Sequence, residues 1–185
     1  MHKFLSTIAA GAIAVSAFAT IAYAEDPMVG GAAMPATNNI IQNAVNSKDH
    51  TTLVAAVKAA GLVETLEGPG PFTVFAPVNA AFDALPAGTV DTLLKPENKD
   101  QLTKVLTCHV VAADAMSSAI SKMISDDGGS HDVKTVGGCV LKAKMDGEKI
   151  TLTDENGGVA TVTIADVKQA NGVIHVIDKV LLPKM

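Results

Sequence analysis

The sequence has 185 residues, with 14 lysines, no arginine and 19 aspartate or glutamate residues, which gives a net charge of −5 with neutral histidines. This length is enough for one domain with a sizeable core. The acidic balance and the lack of arginine disfavour nucleic acid as a partner, because its recognition relies on basic patches and on bidentate arginine contacts, and they favour basic or metal-bridged partners over anionic ones. Because aromatic residues make up only 3% of the chain, binding by aromatic stacking is disfavoured.

The chain begins with a segment typical of a secretory signal peptide. Lys3 precedes a run of small and apolar residues from Phe4 to Ile21, and Ala22-Tyr23-Ala24 then supplies a small-x-small cleavage site. We therefore predict that residues 1–24 are removed. The remaining chain is expected in the periplasm or outside the cell, and it is not expected to be embedded in a membrane.

Residues 25–37 are rich in glycine, alanine and proline and show no helical or strand period, so we predict a flexible N-terminal arm. Helical spacing of apolar residues then predicts two helices, separated near residues 47–50, of which the second ends at Gly61. The β-branched and aromatic run over residues 72–77 predicts a buried strand. Short helices follow, and Asn79 is placed to cap the first of them.

The last third of the chain changes from helical to strand periodicity. Asp146-Gly147 is a strong hairpin signal between two alternating runs, because both central turn positions need positive φ. Two further strands are predicted over residues 159–167 and 173–182. Helices followed by an antiparallel meander, with one strand inserted among the helices, predict an α+β fold. We expect a single domain over residues 38–185.

A cysteine and a histidine are neighbours in the apolar run over residues 105–111. Adjacent residues of a strand point to opposite faces, so Cys108 and His109 are not expected to form the thiolate–imidazole pair of a cysteine enzyme. The sequence leaves open a pairing of Cys108 with His175 from another strand. The second cysteine is Cys139, and an even count in an exported chain favours a disulfide between the two. The alternative is two separate buried thiols.

The other residues that bear chemistry form no recognisable constellation. The histidines lack HxH or HxxxH spacing, and the acidic loop over residues 126–132 lacks the alternating spacing of a calcium loop. We therefore predict no metal and no cofactor. The sequence contains no nucleophile elbow, phosphate loop or HExxH motif, so we predict that the protein is not an enzyme.

Three stretches occur in an order that resembles the fasciclin I (FAS1) domain. They are GPFTVFAPVNAAFDAL, LTCHVV and NGVIHVIDKVLLP. The resemblance extends from about Asn38 to Pro183, and the chain is similar to the single-domain secreted members of this family in bacteria. It implies an α+β wedge in which two small packed β-sheets are covered by several short helices.

The resemblance also implies a function. The family is associated with adhesion and with cell-surface or matrix contact, and in its animal members the Tyr-His segment and Asp-Ile elements near the last motif are linked to integrin binding. The matching positions here are His109, Ile177 and Asp178, which are the candidate interaction or family-motif residues, and the alternative is that they serve folding, as His109 does in the family. Cys108 stands where the family usually has tyrosine.

We therefore expect an exported, non-catalytic adhesion or interaction protein. Its partner would be a protein or a cell-surface or matrix component, and it would act as a monomer or a weak oligomer. The alternative is a periplasmic protein that binds a small ligand or a metal through its histidines, which are His50, His109, His131 and His175 in the mature chain.

Overall fold

The computed structural model describes residues 26–184, and the predicted signal peptide lies outside them. The helices in this range are short. Their bounds are α1 Ile40–Ala44, α2 Thr51–Ala60, α3 Val63–Glu67, α4 Asn79–Asp83, α5 Thr89–Leu93, α6 Lys99–Thr107 and α7 Ser117–Asp126, with 3-10 turns at Lys48–His50 and Pro96–Asn98. Among the described residues, no helix has the length and apolar character needed to cross a membrane.

Nine strands accompany these helices. Their bounds are β1 Met28–Val29, β2 Ala32–Ala33, β3 Phe72–Pro77, β4 Val110–Val111, β5 His131–Lys134, β6 Val140–Asp146, β7 Lys149–Thr153, β8 Val159–Gln169 and β9 Gly172–Ile177. Helices fill the first part of the chain and strands the last, so the predicted α+β class is confirmed.

The long strands form two sheets that share β8. The first contains β4, β3, β9 and β8, and the second contains β8, β7, β6 and β5, in the continuous order β4-β3-β9-β8-β7-β6-β5. Every neighbouring pair is antiparallel except β3 and β9. The turn between β6 and β7 lies one residue later than the sequence predicts, because Asp146 pairs with Lys149 and leaves Gly147 and Glu148 in the turn.

Two hydrophobic cores stabilise this arrangement. The larger lies between the N-terminal helices and the sheet of β3 and β9, where α2, α6 and the strands contribute residues such as Val57, Val105 and Ile174. The smaller lies between α7 and the inner face of β5–β8, where Ile120 and Ile124 are each at most 2% exposed. The smaller core covers one face of β5–β7, and the side chains that alternate with it are exposed or half-buried.

The segment predicted as a flexible arm forms a hairpin. Met28 pairs with Ala33 and Val29 with Ala32 across the turn at Gly30-Gly31. Gly30 has a φ of 58°, and a Cβ there would lie 2.3 Å from the Ser47 hydroxyl oxygen, so glycine is required by both conformation and space. Val29 and the nearby Met34 are buried in the larger core. These two apolar side chains hold the segment against the core, and they are too few to produce a recognisable sequence period.

Asn79 caps a different helix from the one that the sequence predicts. Its Oδ1 accepts from the backbone N–H of Thr52 at 3.0 Å, and its Nδ2 donates to the carbonyl of Lys48 at 2.8 Å. The prediction that Asn79 caps its own helix is wrong, because it is the first residue of α4 and it satisfies the first turn of α2 instead. The amide therefore joins two helices that are separate in the sequence.

Candidate functional site

Cys108 and Cys139 form a disulfide. Cys108 caps the C-terminus of α6, Cys139 immediately precedes β6, and their Cα atoms are 5.4 Å apart. Both residues are buried, and neither cysteine of the chain is free. Because the thiolate is the nucleophile in cysteine catalysis, a disulfide removes Cys108 from that role, including the pairing with His175 that the sequence leaves open.

The loop before Cys139 lies against the end of α6. The backbone N–H of Gly137 donates to the carbonyl of Thr107 at 3.0 Å, and that of Val136 donates to the carbonyl of Val110 at 2.8 Å. A Cβ on Gly137 would lie 2.6 Å from the Thr107 hydroxyl oxygen. The disulfide therefore reinforces a close backbone contact between the turn that joins α6 to β4 and the loop that joins β5 to β6.

The opposite-face prediction assumes an extended backbone at Cys108 and His109, and the structure places both residues before the strand. Strand β4 begins at Val110, so both residues lie in the turn between α6 and β4. The expected separation of the two side chains holds for a different reason, because the helix end directs Cys108 toward Cys139 and the His109 ring into the core.

His109 has a buried ring whose two nitrogens are both used within the protein. Nδ1 lies 2.8 Å from the carbonyl oxygen of Val105, and Nε2 lies 2.9 Å from the backbone nitrogen of Leu181. A carbonyl only accepts and an N–H only donates, so these partners define a neutral ring with its proton on Nδ1. Burial lowers the pKa of His109 to about 4. His109 thus ties the end of α6 to the segment after β9 and presents no nitrogen to a ligand.

His175 is satisfied in the same way on β9. Its Nε2 lies 2.7 Å from the carbonyl oxygen of Ala115, and its Nδ1 accepts from the backbone N–H of Asp166 at 3.2 Å. The ring stacks on Phe75 with 5.7 Å between centroids, and burial lowers the pKa of His175. These contacts assign the opposite neutral tautomer to His175, again with no free nitrogen.

Each of the remaining histidines has a partner for its Nδ1, while the buried Nε2 of His50 has no hydrogen-bond partner among the described residues. His50 is buried, its Nδ1 lies 2.8 Å from the Ser47 hydroxyl oxygen, and burial lowers its pKa. His131 lies beside Asp127, with 2.6 Å between Nδ1 and Oδ2. Within residues 26–184, no three His, Cys, Asp or Glu side chains are grouped so that they could hold a metal ion.

The candidate interaction residues of the last motif have different environments. Ile177 is 0% exposed and belongs to the smaller core. Asp178 is exposed, but its Oδ1 accepts from the backbone N–H of Thr161 at 2.7 Å, and its own N–H donates to the carbonyl of Thr161 at 3.2 Å. With His109 buried as well, Asp178 is the one residue of this set that reaches the surface, and its carboxylate continues the pairing of β8 and β9.

Replacement of Asp178 tests this contact. We expect Asp178→Ala to lower the free energy of unfolding by about 1 kcal/mol or less, since it removes one hydrogen bond at an exposed strand end. Asp178→Asn keeps an acceptor oxygen and is the matched control, for which we expect a smaller loss. Urea unfolding of both variants measures the difference, and equal stability of Asp178→Ala and the parent protein would contradict the assignment.

Two other carboxylates, which lie outside the three sequence motifs, hold loops in place. The carboxylate of Asp154 accepts from the backbone N–H groups of Asn156, Gly158 and Leu182, at 2.7 to 2.9 Å. The carboxylate of Asp166 accepts from the backbone N–H and the hydroxyl of Ser117 at the start of α7. A DENGG turn is a recognisable site for an Asp that binds its own turn, but the partners Leu182 and Ser117 depend on the tertiary fold.

Comparison with solved structures identifies the kind of fold. The FAS1 domain pair from the insect cell adhesion molecule fasciclin I superimposes on 78% of this chain and 51% of that chain, with a TM-score of 0.68 at 18% sequence identity. The fold is therefore that of a FAS1 domain, and the predicted fold is confirmed.

Comparison with known sequences identifies the family. The family model described as "Fasciclin domain" matches residues 48–183, and the chain belongs to this family. Protein sll1483 of Synechocystis sp. is 47% identical over 158 residues, which are 85% of this chain and 81% of that protein. The cell surface glycolipoprotein MPB83 of Mycobacterium bovis is 36% identical over 159 residues, which are 83% of this chain and 64% of that protein.

Proposed function

We propose that this protein is an exported adhesion or interaction module, located in the periplasm or outside the cell, that works by contact with a protein or surface component and not by catalysis. One observation carries the proposal. The two cysteines, His109 and His175 are the side chains best suited to catalysis, and all four are buried. The cysteines form a disulfide, and both ring nitrogens of each of these histidines are hydrogen-bonded within the protein. What remains for function is the surface.

The relatives support this kind of function. MPB83 is named as a cell surface protein, and the structural neighbour with this fold comes from a cell adhesion molecule. Both descriptions concern those proteins, and we extend them to this chain as a proposal. Because His109 and Ile177 are buried, we expect the partner to bind an exposed face and not these two motif residues.

Binding to intact cells tests the proposal. We expect fluorescently labelled, processed protein to bind source cells or their isolated envelopes in a saturable manner, and unlabelled protein to compete with it. An unrelated acidic protein of similar size and charge is the control and should not compete. Binding that does not saturate, or that the control displaces equally well, would contradict a surface-contact function.

A further inference from the structure

The outer face of the second sheet is uncovered and carries a row of lysines. Side chains alternate between the two faces of a strand, and on β5–β7 the inner set packs on α7. The outer set is exposed or half-buried. It includes four exposed lysines, which we name the lysine track: Lys134 on β5, Lys142 and Lys144 on β6, and Lys149 on β7.

The strand register sets these lysines in one line. Lys134 pairs with Val140, so it lies diagonally next to Lys142. Lys144 pairs with Thr151, so it lies diagonally next to Lys149. Diagonal neighbours, and residues two apart on a strand, are separated by about 7 to 8 Å. The lysine track therefore crosses three adjacent strands as a single file of positive charges at nearly even intervals.

Two aspartates on the same face partly offset the four charges of the lysine track. Asp132 and Asp146 lie across from Lys142 and Lys149 in the register. Yet among residues 26–184 the ion pairs within 4.0 Å are confined to Lys122 with Asp126 and His131 with Asp127. A chain with net charge −5 thus has one local face with an excess of positive charge. The preference for basic or metal-bridged partners, predicted from net charge alone, does not apply to this face.

Hydroxyl groups accompany the lysine track. Thr151 and Thr153 of β7 pair with Thr161 and Val159 of β8, and all four lie on the same outer face. Threonine offers both a donor and an acceptor to a polar ligand. This face presents point charges and hydrogen bonds beside the exposed Val140 and Val159, and its strands hold no Phe, Tyr or Trp ring to stack on a base or to insert into a bilayer.

From this arrangement we infer that the lysine track binds a linear acidic polysaccharide, with the lysines contacting successive carboxylates and the threonines contacting sugar hydroxyls. Lysine acts as a compact point charge, which suits carboxylates spaced along a polymer. Charge complementarity favours a polyanion, and the single-file arrangement favours a linear one. This inference rests on the proposed surface-contact function and names the chemistry of its partner.

Direct titration with polygalacturonate tests the inference. We expect the intact, processed protein to bind polygalacturonate and not neutral dextran, with affinity falling as sodium chloride is added. The double variant Lys142→Gln, Lys144→Gln should bind roughly fivefold to tenfold more weakly, since exposed charge pairs contribute modestly. Lys58→Gln with Lys95→Gln removes the same charge from the helical side and should bind as the parent does. Lys142→Arg with Lys144→Arg should retain binding.

The outcomes separate this inference from the proposed function. Equal weakening in the two glutamine variants would show a general charge effect and would overturn the lysine track. Tighter binding to vesicles of anionic phospholipid than to polygalacturonate, lost in Lys142→Gln, Lys144→Gln, would replace the polysaccharide with a membrane surface. If cells bind both glutamine variants as well as the parent, the surface-contact function stands and the lysine track is not its site.

Discussion

Replacement of Cys108 and Cys139 together by alanine is expected to lower the free energy of unfolding by about 3 to 4 kcal/mol. The disulfide closes a chain segment with a sequence separation of 31, and it restricts the unfolded chain more than the folded one. The segment between the cysteines contains α7 and β5, so the unfolded ensemble gains much freedom when the bond is removed. Chemical denaturation of the parent and the Cys108→Ala, Cys139→Ala variant measures the loss.

Reduction of the parent protein provides the matched control for the disulfide. We expect the reduced parent and the alanine pair to have similar unfolding midpoints. The midpoint of the oxidised parent should be well above both. Identical midpoints with and without reductant would show that the bond is absent or contributes nothing. Intact mass after alkylation of the unreduced protein gives an independent check, since two modified thiols would contradict the bond.

Acidification from about pH 7 to pH 4.5 is expected to remove about 2 to 3 kcal/mol of stability through His109 alone. Burial lowers the pKa of His109 to about 4 in the folded protein, while the unfolded chain has the usual value of about 6.5. The unfolded state therefore binds a proton first as the pH falls, and stability declines through this interval. Burial also lowers the pKa of His50 and His175, so their contributions have the same sign.

The variant His109→Gln isolates the contribution of this one ring. Glutamine does not titrate, so we expect lower stability at neutral pH and a shallower decline of the thermal midpoint in acid. Val105→Ala, in the last turns of α6 and about as buried as His109, is the matched control and should lower the midpoint without changing its pH slope. Parallel pH profiles for His109→Gln and the parent would show that His109 is not the group responsible.

The sequence predicts those parts of the fold that depend on local signals. Helical periodicity and Gly61, which caps α2 in the left-handed conformation, predict the helices of the first half. Alternation predicts the strands of the second half. The hairpin at Met28–Ala33 was missed because its evidence is the burial of Val29 and Met34 against distant residues. Asn79 was assigned to the wrong helix for the same reason, since its partner helix is chosen by tertiary contact.

The candidate site was less predictable than the fold. The resemblance leaves both recognition and folding open for His109 and Ile177, and their burial places both in the protein interior. The lysine track was missed for the opposite reason. Its four lysines are ordinary surface residues in the sequence, and only the register of β5, β6 and β7 arranges them in one file. The net charge of the chain does not show that lysines are concentrated on one face.

The parallel pairing of β3 with β9 has a consequence for the time at which the domain forms. Phe72 pairs with Gly172, one hundred positions later, and β4, the other neighbour of β3, has only two residues. A growing chain that lacks its last strand therefore offers β3 almost no partner, and the larger core stays open. Contacts this distant in sequence slow folding, because a long loop must close before they form. The chain must therefore extend through β9 before the larger core of this domain can close.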